Sequence, residues 1–158
     1  MKRLALLALW LTGAMGCASG TAAATAQANA PVQLIAGDWV IRRELVAGSA
    51  AALTPDEIES LLGAEAHYTA TSAEFAGVRC ERPLFDSYHE TSANLHQLFG
   101  LYFEDLGLTT DDVLAIDINC MDADVEFLAG NTVLVAGPDR LITVVDGVWF
   151  ELTRQSRQ

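Results

Sequence analysis

The chain reads as a mainly β domain with two helices, arranged as a small antiparallel β-barrel; a two-layer α+β fold with an antiparallel sheet is the alternative. Three observations predict this. The last third strings together residues 131–136 (NTVLVA), 140–145 (RLITVV) and 148–153 (VWFELT), broken by Gly137-Pro138-Asp139 and Asp146-Gly147. Asp-Gly between two such runs is a tight-hairpin signal. Several further β-rich runs precede them, and only two stretches carry a helical period. So much strand surface in so short a domain is most readily buried by curling the sheet toward closure.

Taken in order, residues 32–47 (VQLIAGDWVIRRELVA) hold the first strand, which starts at Gly37-Asp38-Trp39, with Trp39, Ile41 and Arg43 on one side and Val40 and Arg42 on the other. Residues 53–63 (LTPDEIESLLG) carry the marks of a helix. Thr54 can cap it, Pro55 suits its first position, Glu57 completes a capping box, and Gly63 can end it. Ile58, Leu61 and Leu62 make its apolar face. Residues 64–71 and 74–79 are short strands with a turn at Ala76-Gly77, and 84–90 (LFDSYHE) is another beyond the break Cys80-Glu81-Arg82-Pro83. Between residues 91 and 106 the period changes. Leu95, Leu98, Phe99, Tyr102 and Leu106 recur at three and four, predicting one helix that Gly107 ends; Leu101 and Phe103 widen its apolar surface to two sides. Residues 113–119 return to strand. Trp149 and Phe150 are neighbours on the last strand and must face opposite ways, so one of them lies on the outside, under the helix or open to a partner.

Ahead of the domain, residues 1–16 have the build of a bacterial export signal: Lys2 and Arg3, an apolar run from Leu4 to Leu11, then small residues. The run is too short for a stable membrane span. Ala14-Met15-Gly16-Cys17 resembles the lipobox of bacterial lipoproteins, which implies cleavage before Cys17 and its lipidation. Small-x-small patterns at Ala24-Thr25-Ala26 and Ala26-Gln27-Ala28 offer ordinary cleavage after Ala26 or Ala28 instead. Residues 17–31 are an uncharged low-complexity tether, and 32–158 a single domain. The expected location is the periplasm, or the cell envelope through a lipid on Cys17. In an oxidising compartment, Cys80 and Cys120 are the natural disulfide pair once Cys17 is lipidated or removed.

The formal charge of −12 becomes −14 when Lys2 and Arg3 leave with the signal, and the chain's only lysine leaves too. Such a surface repels nucleic acid and anionic membrane, and it tolerates a cationic partner.

Gly37-Asp38-Trp39 at the first strand resembles the Gly-x-Trp signature of lipocalins and their small bacterial relatives. The resemblance implies that Trp39 plugs the barrel floor and that Arg154, just beyond the last strand, packs across it. A guanidinium stacked on an indole is favourable in any protein. The predicted helix in the middle of the chain departs from the lipocalin pattern.

Asp117, Asn119, Asp122, Asp124 and Glu126 form the densest oxygen cluster, a candidate calcium site without the turn glycine or distal glutamate of a calcium loop. His67, His89 and His96 show no paired metal-ligand spacing. His89 and Glu90 are strand neighbours that point apart, and Ser87, two residues from His89, lacks a nucleophile elbow. No catalytic constellation and no cofactor motif emerges. The expected function is a non-enzymatic binding domain of the cell envelope, taking a small apolar ligand or a cationic partner. The alternative is a periplasmic inhibitor or immunity protein against a basic envelope hydrolase.

Overall fold

A computed structural model describes residues 30–122 and 129–156. The residues read as an export signal, Cys17, nearly all of the 17–31 stretch read as a tether, Asp124 and Glu126 lie outside the described residues. The described residues form nine strands: β1 (Gly37–Ala47), β2 (Glu65–Tyr68), β3 (Ala73–Phe75), β4 (Val78–Cys80), β5 (Pro83–Thr91), β6 (Asp112–Cys120), β7 (Thr132–Gly137), β8 (Arg140–Val145) and β9 (Val148–Arg154). Helices α1 (Ala30–Ile35), α2 (Pro55–Leu61) and α3 (Ser92–Phe99) and a 3₁₀ turn (Phe103–Leu106) accompany them. α1 begins just inside the stretch read as tether. No helix among the described residues is long and apolar enough to cross a membrane.

All nine strands join one curled, antiparallel half-barrel sheet in the order β4-β3-β2-β1-β9-β8-β7-β6-β5. Apart from β4 and β5, strands consecutive in sequence therefore lie side by side, and β9 returns to lie beside β1. The one consecutive pair with no ladder is β4 and β5. There the Cys80–Cys120 disulfide, with Cα atoms 5.8 Å apart, ties β4 to β6. Asp122 adds to the same seam, accepting from the Glu81 and Arg82 amides and from Arg82 Nε at 2.8 Å. These bonds hold its carboxyl below the usual range, Arg82 contributing most.

Two apolar cores lie on opposite sides of the sheet. Inside the curl, Val32 and Ile35 of α1 join Trp39, Ile41, Tyr68, Phe75, Ile116, Ile118, Phe150 and Leu152, all buried. Outside, Val113, Ala115, Leu134, Ile142 and Trp149 are covered by Leu95 of α3 and by Leu101, Phe103, Leu106 and Leu108. Trp149 is the outward member of the Trp149–Phe150 pair, edge-on to Phe99 with ring centroids 5.2 Å apart.

Turn chemistry sets the hairpins. Ala76 (φ 49°) and Gly77 (φ 83°) join β3 to β4, and Asp146 (φ 45°) and Gly147 (φ 80°) join β8 to β9. Both central residues have positive φ, the two-residue turn that matches strand twist. The capping box of α2 forms as expected: the Thr54 hydroxyl accepts from Glu57 N, and Glu57 Oε2 accepts from Thr54 N at 2.8 Å.

Two expectations need correction. The single helix over 91–106 is two pieces: α3 stops at Gly100, whose left-handed φ of 74° turns the chain, and the 3₁₀ turn follows. This break lets Leu101 and Phe103 reach the same outer core as Leu95. Arg43 does not share a side with Trp39 and Ile41. A register shift between Ile41 and Arg43 turns Arg43 outward, where it pairs with Glu151 at 3.0 Å.

Candidate functional site

The first candidate is the end of the sheet where β1, β9 and α1 meet. The chain enters β1 from α1 through Gly37, whose φ of 129° is open to glycine and strained for other residues. Trp39 follows, fully buried, and its indole N–H donates to Ile35 O at 2.7 Å, which locks α1 to the ring. Arg154, its cross-strand partner on β9, lies 4.1 Å over the indole. Its guanidinium donates to Ala36 O (2.8 Å) and Pro138 O (3.1 Å) and meets Asp139 at 3.2 Å. A Cβ on Gly37 would stand 2.6 Å from Arg154 Nη1, so the glycine of Gly37-Asp38-Trp39 makes room for this guanidinium.

The middle residue of the same tripeptide opens a second feature. Strand alternation sends Asp38 outward while Trp39 points in. Register then lines up Asp38, His67, Glu74 and Arg79 across β1, β2, β3 and β4. His67 Nδ1 is paired with an Asp38 carboxylate oxygen, both side chains about 40% exposed. Glu65, two residues before His67 and therefore on its side of β2, accepts from Gln155 Nε2 at 3.0 Å. Asp38, Glu65, His67, Glu74 and Gln155 line a cleft of about 220 Å³. A second hollow, about 380 Å³, adjoins it around Ala36, Gly37, Arg154 and Ser156. The residues lining the acidic cleft carry no hydroxyl or thiol. Its chemistry is that of a concave carboxylate surface able to receive a cation.

The described members of the sequence-predicted oxygen cluster turn to separate partners. Asp117 accepts from Thr132 Oγ1 at 2.8 Å, Asn119 donates to Asp86 at 3.2 Å, and Asp122 is turned to the Arg82 seam. The remaining two members, Asp124 and Glu126, lie outside the described residues. Among the described residues, the one grouping of Cys, His, Asp and Glu close enough to share a metal is Cys80, Cys120 and Asp122, whose sulfurs are already bonded to each other.

The histidines stand apart. His89 Nδ1 is 2.6 Å from Asp112, and His96 stacks on Tyr102 with ring centroids 4.1 Å apart. Glu90 is buried beneath α3, accepting from Asn94 Nδ2 at 2.8 and 3.0 Å, so it does not pair with His89. The cleft residues Glu65, Glu74 and Gln155 escaped sequence reasoning. Glu65 and His67 carried a visible period-two signal, but their meeting with Asp38 and Glu74 depends on register across three strands. No protein-family model, no curated protein and no solved structure matches this chain.

Proposed function

We propose that the domain is a non-enzymatic binding module of the bacterial cell envelope that engages a cationic partner through its acidic exterior. One observation carries the choice between the two expected ligand classes: the inside of the curl is filled. Trp39, Tyr68, Phe75, Ile116, Ile118 and Phe150 occupy it with at most about 1% exposure each, where an apolar ligand would need space. The concave surface on offer is instead the outer cleft of Asp38, Glu65 and Glu74. With a formal charge of −12, the protein attracts a basic partner from a distance as well as at contact. An inhibitor or immunity role against a basic hydrolase is one form of this reading, favoured by the disulfide that braces a small domain.

We also read the curled sheet as a lipocalin-like barrel whose seam is held by a disulfide in place of a ladder. The cyclic strand order and the Arg154–Trp39 stack support this reading.

Native mass spectrometry of the protein taken gently from its host's envelope tests the function. A co-purifying basic polypeptide is expected, with a complex that weakens as salt rises and when Glu65→Gln and Glu74→Gln are combined. A dissociable lipophilic adduct on an otherwise bare chain would replace this reading with an apolar-ligand carrier. The same spectrum reports any lipid on Cys17.

A further inference from the structure

The two edges of the sheet are built differently. β4 is three residues long, carries Arg79 tied to Glu81, and leads at once into the link to β5. Shortness and charge are the usual protections of an edge against unwanted pairing. β5 lacks both the shortness and any bulge. It runs nine residues and pairs with β6 in unbroken register from Pro83 opposite Cys120 to Thr91 opposite Asp112. Its proline is its first residue, where it blocks little.

In an antiparallel ladder, alternate residues turn their N–H and C=O away from the neighbouring strand. Among the described residues, no backbone hydrogen bond joins 84–90 to anything except β6. α1 packs near β5, yet Asp86, Ser87, Tyr88 and His89 are all exposed, so this part of the strand is open on both sides as well as along its edge. Leu84, Asp86 and Tyr88 share the outer side by alternation, with Leu84 52% and Tyr88 39% exposed. Asp117 stands directly opposite Asp86 on β6, so two like charges face each other across the ladder. A basic side chain laid along this strand would relieve that repulsion.

We infer that the β5 edge is a docking strand for an extended, basic segment of a protein partner, which joins the sheet as one more strand. The inference rests on the cationic-partner reading above and locates where the partner's main chain lies. Main-chain hydrogen bonds to the outward groups of 84–90 supply affinity. Asp86, with Asp117 beside it in the same register row, selects an arginine or lysine on the outer side of the added strand, and Leu84 and Tyr88, on that same side, receive the apolar side chains two residues before and after it. A second copy of this chain is the poorer occupant, because it would bring one acidic strand against another in a protein of charge −12.

The test titrates the full mature chain with a decapeptide whose every second residue reads valine, arginine, valine, arginine, valine with serine between them, and with the same peptide N-methylated at every residue. The second keeps the charge and cannot form the strand's donor bonds. The expected result is that the first binds at least about tenfold more tightly than the second, since several main-chain bonds are lost together. It also slows hydrogen exchange of the 84–90 amides, and Asp86→Asn weakens it severalfold. Equal binding of the two peptides overturns the docking strand while leaving the cationic-partner reading in place. Absence of binding by either overturns both. A dimer whose 84–90 amides are protected without peptide overturns it in favour of self-pairing.

Discussion

Tyr68 carries an unusual load for a single side chain. It is 1% exposed inside the curl, and its hydroxyl has no hydrogen-bond partner among the described residues. Burial alone pushes its pKa well above the tyrosine range. Tyr88 is pushed up to about 12, first by burial and then by Asp117 and Glu90. Both folded values lie above the unfolded one, so their contribution to stability is whole below the ordinary tyrosine pKa and is lost as pH rises beyond it. Glu151 runs the other way. Arg43 and Arg140 hold it below the usual carboxylate range, so its contribution is whole above that range and fades as pH falls through the depressed value. Tyr68→Phe removes an unsatisfied buried hydroxyl and is expected to raise stability at neutral pH by about 1 kcal/mol. Denaturant titrations across pH should also show a shallower alkaline decline in the variant and an unchanged acid one. At this scale the sequence was informative about which residues matter, since Trp39 and Arg154 were identifiable by type and position. What Gly37 does was not visible, because its need for an absent Cβ arises from a guanidinium that returns from the far end of the chain.

At the level of elements, α3 matters for what it covers more than for its own helicity. It is eight residues long, shorter than an isolated helix can sustain, and Leu95 is its one buried residue. Leu95→Ala is therefore expected to cost about 2 to 4 kcal/mol, measured by chemical unfolding, and to expose Trp149 to solvent quenching. Trp149 Nε1 is buried without a partner among the described residues, so its position depends on packing rather than on a hydrogen bond. The hairpins and the α2 capping box were legible because their chemistry is local: Asp146-Gly147 and Thr54-to-Glu57 state their geometry within four residues. The break at Gly100 was not. The apolar period runs on through Tyr102 and Leu106 and masks the stop that Gly100 supplies, which brings Leu101 and Phe103 into the shared outer core. The outward turn of Arg43 was hidden for a similar reason, since a bulge is a property of two strands and not of one.

The whole molecule is a sheet with one ladderless join, and the Cys80–Cys120 bond stands at that join. The disulfide closes a sequence separation of 40 residues that spans β4, β5, α3 and β6. Replacing both cysteines with serine is expected to lower stability by about 3 to 4 kcal/mol on the chain-entropy model. Hydrogen exchange should speed up first in β4 and β5, because each has a ladder on one side alone. The pairing of these two cysteines was legible from the expected export and from parity. The mainly β, antiparallel class was legible from turn spacing, while the second, outer core was not, because strands with apolar residues on both sides blur the alternation from which sidedness is read.

The return of β9 to β1 has a consequence for connectivity. Gln155 N donates to Asp38 O at 2.8 Å, so the start of β1 and the end of β9 are bonded neighbours. The order of strands around the sheet is consequently indifferent to where the polypeptide is opened. A circular permutant that links the end of β9 to the front of α1 and is cut between Glu81 and Arg82 keeps every ladder of the parent. Its new termini would fall where no ladder crosses, flanked by a disulfide that already holds the two sides together, so the seam of the sheet is also its natural point of re-entry.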